Sequence, residues 1–246
     1  MNTKTKALLA EYAALYECPA FLDGDPSWFM HQVEGPANQE AVAFVAACLS
    51  YGNRGLFMPK IQRLLDLSGG NVHSWICSGG YEDDIPDSSD TFYRLQTCHH
   101  IRQLLDALRA LFAGHGTLGH YCAAQGATTA LGAIEVLTGY FGRWDVGHLV
   151  PNNAASSCKR LCMFLRWMVR DASPVDLGLW TFIDKRSLLI PLDTHVLREA
   201  TRLGLISGKA ATMRTVCRLT DALRQVFPDD PLKGDFALFG YGVRHP

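Results

Sequence analysis

The sequence has 246 residues, a formal net charge of −1 at pH 7 and a hydrophobic content of 48%, which is typical of a globular protein with a substantial core. No apolar run approaches about 18 residues, so a transmembrane helix is excluded. Glu11 interrupts the apolar run of the first 16 residues, which therefore predict an amphipathic helix and not a signal peptide. We expect a cytoplasmic protein with no membrane partner, associated with the nucleoid if the source is bacterial.

The distribution of charge and the use of cysteine indicate the kind of binding partner and the redox compartment of the protein. Residues 151–246 carry 14 Lys and Arg against 9 Asp and Glu, whereas residues 1–150 carry 9 against 15. A basic second half is what a phosphate-binding surface needs, although it also fits an exposed helical surface. The eight cysteines form no CxxC pair, which indicates free thiols in a reducing compartment and no metal site.

Helical spacing dominates the first two thirds of the chain. No period-2 alternation of β-branched residues extends beyond a few positions, so we expect an all-α fold. The region from 68 to 90 is rich in Gly, Ser and Asp and predicts a loop around one short helix. The predicted helices run from Glu40 to Leu49, from Leu56 to Leu67 and from His100 to Phe112, and two more lie between Leu118 and Phe141.

The most informative helix is predicted from Lys159 to Arg170, where apolar residues recur at i, i+3, i+4 and i+7. A second, mostly cationic face of this helix contains Lys159, Met163, Arg166 and Arg170. One interpretation is a solvated basic face. The other is chemical, because Lys159 lies in the first turn, where the helix dipole and neighbouring Arg160 disfavour the ammonium form and favour a nucleophilic amine.

Another helix is predicted to begin within the segment IPLDTHVLREATRLGL. A proline two residues before Asp193 and the periodic run after it are an N-terminal helix signal, and Gly204 is a suitable stop. By default Asp193 is an ordinary N-cap and His195 a structural histidine. The alternative for Asp193 is a catalytic carboxylate.

The lysine at the head of one helix and the downstream LDTHV…R…RLGL segment resemble the helix-hairpin-helix DNA glycosylase superfamily, which includes endonuclease III and the 8-oxoguanine DNA glycosylases. By this resemblance Lys159 lies at the position of the Schiff-base lysine and Asp193 at that of the catalytic aspartate. The stretch between them is longer than in endonuclease III and closer to the archaeal GO glycosylase subgroup. The motifs KRLCMFLRWMVR, VDLGLW, IPLDTHV and DFALFGYG also resemble a bacterial family of unassigned function, over most of the chain from about Asp25 onward.

The hairpin before the lysine departs from the superfamily pattern. That hairpin usually reads like LPGVG, whose glycines let backbone amides approach a DNA phosphate, whereas residues 149–158 of this chain read LVPNNAASSC. Asn152 and Asn153 tolerate the left-handed conformation, and Ser156 or Ser157 can cap the helix. The sequence therefore predicts a phosphate-binding nest that includes Asn153 and Ser157.

Further DNA contacts are implied by the resemblance. In the superfamily the loop equivalent to residues 50–54 pushes a polar side chain into the gap left by a flipped base, which implies that Asn53 and Arg54 probe DNA. The alternative is a helix-to-helix turn with a solvated arginine. The other predicted DNA contacts are Arg160, Arg166 and His195.

The damaged-base pocket is also predicted from the resemblance. In the archaeal GO glycosylases a C-terminal helix supplies an aspartate and, one turn later, an aromatic ring, and Asp235 and Phe239 match that spacing. Met163, one turn after Lys159, is predicted to form the other wall. The alternatives are that Asp235 only caps the final helix and that Phe239 packs in the core.

The resemblance implies two helical lobes. Residues 36–172 would form a central lobe that ends in a helix-hairpin-helix-like element and the lysine helix, and residues 1–35 and 173–246 would form the other. A DNA cleft is expected between the lobes, with Lys159 and Asp193 facing across it. The C-terminal cysteine cluster that holds the iron–sulfur cluster of endonuclease III is absent, so no iron–sulfur cluster is expected.

The function implied is base-excision repair of damaged double-stranded DNA. A bifunctional glycosylase and lyase would remove an oxidised purine such as 8-oxoguanine through a Lys159 Schiff base. One alternative is a non-catalytic DNA-binding protein with this fold, and another is a monofunctional glycosylase in which Asp193 activates water. The implied reaction needs no metal or organic cofactor, and we expect a monomer.

Overall fold

Helices carry the fold of the computed structural model, which describes residues 1–208 and 210–245. The all-α prediction is confirmed: the sheet of these residues is one short antiparallel pair, β1 (Thr91–Tyr93) and β2 (Gln96–Thr97). Within the same part of the chain, no helix is both long enough and apolar enough to cross a bilayer.

The chain divides into two compact units. Unit 1 consists of residues 1–23, 128–134 and 154–246, and unit 2 of residues 24–127 and 135–153. This division differs from the predicted lobes, because the lysine helix belongs with the terminal segments and not with the central one. The physical reason is a set of buried ion pairs, described below, between that helix and the terminal segments.

Unit 2 is arranged around α2 (Pro36–Leu49), which is buried from Glu40 to its end because its residues are apolar on every side. The buried Glu40 carboxylate accepts hydrogen bonds from the backbone N–H groups of Leu118 (2.7 Å) and Gly119 (3.0 Å), at the start of α7 (Leu118–Ala124). It thereby satisfies donors at the positive end of that helix. The other helices of unit 2 are α3 (Arg54–Leu67), α4 (Val72–Ser78), α5 (Tyr81–Asp84), α6 (Cys98–His115) and α7 (Leu118–Ala124).

One short helix was predicted between residues 68 and 90, and the structure has two, α4 and α5. Gly79 ends α4 in the left-handed conformation, with φ of 78°, and the chain then turns into α5. Glycine adopts this conformation without steric cost, so only two residues, Gly79 and Gly80, separate two helices where the composition indicated a loop.

Unit 1 is arranged around the C-terminal helix α12 (Lys233–Arg244), which packs against α1 (Thr3–Tyr16) and α10 (Thr194–Arg202). The approach of α1 is close: a Cβ atom on Gly240 would lie 2.5 Å from the Cβ of Tyr16. The remaining helices are α9 (Lys159–Val169) and α11 (Met213–Arg224) of unit 1, and α8 (Ala130–Phe141), which begins in unit 1 and ends in unit 2.

Candidate functional site

Helix α9 begins at Lys159, which is half-buried. Its N-cap is Cys158, which has φ of 44° and makes no side-chain capping bond. The N–H of Cys158 donates to Oγ of Ser156 (3.4 Å), and Ser156 pairs with Thr212 in an isolated antiparallel bridge. The turn that leads to the lysine is therefore held by backbone pairing to the start of α11.

Arg160 is half-buried beside Cys158. Burial raises the pKa of the Cys158 thiol, while the hydrogen bond to Ser156 and the charge of Arg160 oppose that rise. The guanidinium of Arg160 therefore acts on groups at the first turn of α9. A contact between Arg160 and DNA stays a prediction.

The predicted phosphate nest is not built as expected. Asn152 and Asn153 do not adopt the left-handed conformation, which the described chain places at Cys158 instead. Ser157 is not the helix cap, and its carbonyl accepts a hydrogen bond from the Cys162 thiol (3.6 Å). The bridge from Ser156 to Thr212 lies next to this turn and ties it to the start of α11. DNA contacts by Asn153 and Ser157 are not tested by this geometry.

The interpretation of α9 as a solvated basic face is wrong for Arg166 and Arg170. Arg166 is 3% exposed and Arg170 is 1% exposed, and all residues between Leu161 and Arg170 are buried. Arg166 pairs with Asp176 (3.1 Å) and with Asp235 (2.5 Å). A contact between Arg166 and DNA is therefore not possible in this structure, because carboxylates already enclose the guanidinium.

Arg170 lies at the centre of the same arrangement. It pairs with Asp176 (2.5 Å), Asp230 (2.8 Å) and Glu17 (2.6 Å). Burial disfavours the charge of Arg170, but these carboxylates outweigh it and raise the pKa of the guanidinium. Burial also disfavours the charged form of Asp176 and raises the pKa of its carboxyl group, while Arg166 and Arg170 lower it. We call this group the buried ion-pair cluster; it consists of Glu17, Arg166, Arg170, Asp176, Asp230 and Asp235.

The loop from 171 to 180 closes the cluster by folding back along α9. The N–H of Leu177 donates to the carbonyl of Trp167 (2.8 Å), and the N–H of Trp180 donates to that of Met168 (2.7 Å). These bonds satisfy carbonyls that the last turn of a helix leaves without partners. Gly178, with φ of 63°, makes the turn between them. The sequence indicates no role for this loop, and in the structure it folds back over the arginine end of α9.

Asp193 is the N-cap of α10, and its Oδ1 accepts a hydrogen bond from the N–H of Val196 (2.8 Å). The capping interpretation therefore matches the geometry, while catalysis by this half-buried carboxylate is not tested. His195 packs between α10 and α12: its Nδ1 donates to the carbonyl of Gly242 (3.1 Å), and its ring meets Phe239 edge-on at 6.1 Å. These contacts match the interpretation of His195 as a structural histidine, and its contact with DNA stays a prediction.

Asp235 is buried in the first turn of α12 and is 3% exposed. Burial raises its pKa to about 6; Arg166 opposes the rise, and the nearby carboxylates of Asp193 and Asp176 add to it. Asp193 and Asp235 thus lie within electrostatic reach of each other. Arg166 already donates to this carboxylate. Hydrogen bonding of Asp235 to a base remains a prediction.

An aromatic residue that sequence reasoning missed, Phe21, lies beside the predicted pocket residues. Its ring is 5.9 Å from that of Phe239 and 4.8 Å from that of Phe236, and the guanidinium of Arg166 lies 5.6 Å from its centroid. Phe239 is partly exposed, whereas Met163 of α9 is 8% exposed. The only signal for Phe21 is an apolar pair after a proline, which does not indicate a partner so distant in the sequence.

Asn53 and Arg54 lie in unit 2 and form the start of α3. The Asn53 side chain caps that helix by accepting from the N–H of Gly55 (2.8 Å). Arg54 pairs with Asp25 (3.1 Å) and also donates to the carbonyl of Gly24 (3.1 Å). This geometry matches the alternative of a helix-to-helix turn, with an arginine that is paired and not simply solvated. A role in probing DNA is not tested.

By its sequence the chain belongs to the family described as "Protein of unknown function (DUF2400)", whose profile matches residues 25–244. No curated protein and no solved structure matches the chain. The matched range contains Lys159, Asp193 and Asp235 but begins after Phe21. The family description assigns no activity, so function has to be argued from the site.

Proposed function

We propose that this member of the family is a base-excision DNA glycosylase that removes an oxidised purine, such as 8-oxoguanine, from duplex DNA through a lysine Schiff base. The observation that carries the proposal is the presence in one compact unit of a first-turn lysine and two carboxylates, each at the start of a helix. Lys159 begins α9, Asp193 begins α10, and Asp235 lies in the first turn of α12.

Two sets of contacts support a common site for these groups. The ion pair between Arg166 and Asp235 joins α9 to α12. The hydrogen bond from His195 to Gly242 joins α10 to the same helix. A site built on packed helices holds its groups more precisely than one built on loops, which is what an enzyme with a nucleophile and a separate carboxylate needs.

The proposed chemistry begins with a nucleotide turned out of the duplex, because a base inside the stack is inaccessible. The neutral amine of Lys159 attacks C1′, the glycosidic bond breaks, and its electron pair leaves with the base, which takes up a proton. The Asp193 carboxylate stabilises the positive charge that develops on the sugar and accepts a proton from the amine. Opening of the sugar ring gives the Schiff base, and β-elimination then breaks the bond to the 3′ phosphate.

The base would be held by the groups around Asp235. Phe21, Phe239 and Met163 offer two aromatic rings and a polarisable thioether for stacking on a planar purine. Asp235 offers an acceptor for a base N–H. An oxidised purine fits this set because 8-oxoguanine carries an N7–H donor that guanine lacks.

The test is incubation of the purified chain with end-labelled duplexes that each carry one lesion (8-oxoguanine, uracil, an oxidised pyrimidine or an alkylated purine), with and without borohydride. We expect a covalent complex with the oxidised-purine duplex, because borohydride reduces a Schiff base. Lys159→Gln should abolish the complex. Lys185→Gln is the matched control, since Lys185 is a lysine of the same unit that pairs with Asp171 (2.5 Å) and has no part in the proposed chemistry.

Other outcomes separate the alternatives. Base release without a trapped complex would move the chemistry to water activated by Asp193. Intact duplex binding without release of any base would contradict the enzymatic proposal and identify a non-catalytic DNA-binding protein.

A further inference from the structure

Unit 2 carries an exposed surface that combines cations with isolated leucines. Leu95 (69% exposed) and Leu56 (59%) are the most exposed large hydrophobic residues of the described chain. Leu95 lies at the tip of the β1–β2 hairpin, and Leu56 lies in the first turn of α3. We call this the α3–hairpin surface; it consists of Leu56, Lys60, Arg63, Arg94 and Leu95.

The helical part of this surface is one face of α3. Leu56, Lys60 and Arg63 recur at i, i+4 and i+7, which places them on the same side of the helix. Both cations lie over Phe92 of β1, with Lys60 Nζ 5.5 Å and Arg63 Cζ 5.6 Å from the ring centroid. These contacts hold the hairpin against the helix, so the face and the hairpin tip form one surface.

The hairpin tip is fixed in place. The Tyr93 hydroxyl donates to the carbonyl of Tyr51 (2.6 Å), which ties the hairpin to the turn before α3. Arg94 has φ of 52°, and a Cβ atom on Gly52 would lie 2.5 Å from its Nη1. Leu95 is therefore held outward by a strained and closely packed turn, and not by a loose loop.

The charges of this surface are available to a partner. Within residues 1–208 and 210–245, none of Lys60, Arg63 and Arg94 is ion-paired with a carboxylate. Helix α3 contains one acidic residue, Asp66, whose carboxylate accepts from Gln62 (2.7 Å). Cations without carboxylate partners, next to apolar side chains that solvent reaches, favour a polyanion with exposed apolar faces.

We propose that the α3–hairpin surface binds nucleic acid, with Lys60, Arg63 and Arg94 on phosphates and the two leucines against sugar and base faces. The choice of DNA as the nucleic acid rests on the proposed function. The inference that this surface binds a polyanion rests on the contacts and charges of α3 and the hairpin. An anionic membrane is the less suitable partner, because α3 buries its apolar side in the core of unit 2 and two leucines offer little area to insert.

Binding is measured by fluorescence anisotropy of the full-length protein with an undamaged labelled duplex, across a salt series. The double charge reversal Lys60→Glu/Arg63→Glu should weaken binding by about tenfold or more and lower the slope of log affinity against log salt by about 2, since each phosphate contact contributes roughly one. Leu95→Ala should weaken binding by a few-fold with an unchanged slope. Lys4→Glu/Lys6→Glu in α1 alters the net charge equally and should leave affinity near wild type.

Wild-type affinity and slope in the Lys60→Glu/Arg63→Glu protein, folded by circular dichroism, would overturn the inference. So would binding of the wild type to phosphatidylserine vesicles but not to the duplex. The milder Lys60→Ala/Arg63→Ala variant keeps the test valid if the reversal does not fold. Duplex binding through this surface without release of any base would support the inference and contradict the proposed function. Normal base release by the charge-reversed protein would support the proposed function and contradict the inference.

Discussion

The two ends of α9 carry the same kind of residue in opposite environments. At its start Lys159 is half-buried, within a turn that is held to α11 by backbone pairing. Beyond its end Arg170 is 1% exposed and surrounded by three carboxylates. Both lie on the face that the sequence indicates as cationic, so periodicity alone does not separate a reactive cation from a structural one.

The difference comes from what covers the helix. The loop from 171 to 180 folds over the arginine end and brings Asp176 with it, while Glu17, Asp230 and Asp235 arrive from α1, the turn before α12 and α12 itself. A charge that is buried away from water is costly when it has no partner. Removing one member of a buried ion pair therefore destabilises the fold. The lysine end is only half-buried, and the proposed role of its amine in chemistry stays a prediction.

Arg170→Met should cause the largest loss of stability, because it leaves Asp230, Asp176 and Glu17 without their shared partner inside the protein. We expect about 3–5 kcal/mol less unfolding free energy, which is the usual cost of breaking a buried ion pair from one side. For a chain of this size the thermal midpoint should fall by roughly 10 °C. Arg186→Met is the control, since Arg186 is 64% exposed and, among residues 1–208 and 210–245, forms an ion pair with Asp184 alone; equal shifts in both variants would contradict the structural assignment.

Asp235→Asn should alter the dependence of stability on pH. Burial raises the folded-state pKa of Asp235 to about 6 from an ordinary value of 3.8, so the folded protein binds more protons than the unfolded chain between those values. The contribution of this group is therefore complete below the ordinary pKa and is lost as pH rises through 6, by an amount on the order of 3 kcal/mol. The variant lacks this loss. Its thermal midpoint relative to wild type should rise steadily from pH 4 to pH 7, and a flat difference would rule out the raised pKa.

Gly178→Ala tests the cover over the arginine end. The residue has φ of 63°, and an added Cβ would lie 2.9 Å from the Cα of Asp171. Gly204→Ala is the matched control, because Gly204 has φ of 68° with nothing within 4 Å of an added Cβ. Chemical denaturation should show a loss larger by roughly 1–2 kcal/mol for the first variant, since both carry the strain of a left-handed alanine but only one has the clash.

Lys159→Gln should give the smallest change in stability, within about 1 kcal/mol, because the side chain is half-exposed and glutamine is a polar, unbranched replacement. The same variant should lose the covalent complex described above. A large fall in its thermal midpoint would mean that the lysine end of α9 is as structural as the arginine end.

The helices themselves were largely predictable from the sequence. α2 is apolar on every side and is therefore recognisable as a core helix, and the default interpretation of Asp193 as an N-cap matches the structure, while its catalytic role stays a prediction. The burial of Arg170 was not predictable, because one of its partners, Glu17, lies 153 positions away in the chain. A local pattern records the spacing of charges and not the acids that reach them from other segments.

The turn before Lys159 shows a second limit. Left-handed propensity favours Asn152 and Asn153, yet the structure places positive φ at Cys158, where propensity disfavours it. The bridge between Ser156 and Thr212 dictates the path of the chain there, and this pairing leaves no local trace in the sequence. Phe21 escaped notice for the same reason, since its neighbours Phe236 and Phe239 belong to the last helix.

The segment before residue 25 has a consequence for how this family is handled in the laboratory. The family profile begins at residue 25, so a fragment cut at that limit would look complete by alignment. It would lack Glu17, Tyr16 and Phe21, and so would uncover Phe236 and remove one carboxylate from Arg170. Such a fragment is expected to aggregate or to unfold in unit 1, and its inactivity would report on the truncation and not on the chemistry. The limits of sequence similarity and the limits of a foldable polypeptide therefore do not coincide in this protein.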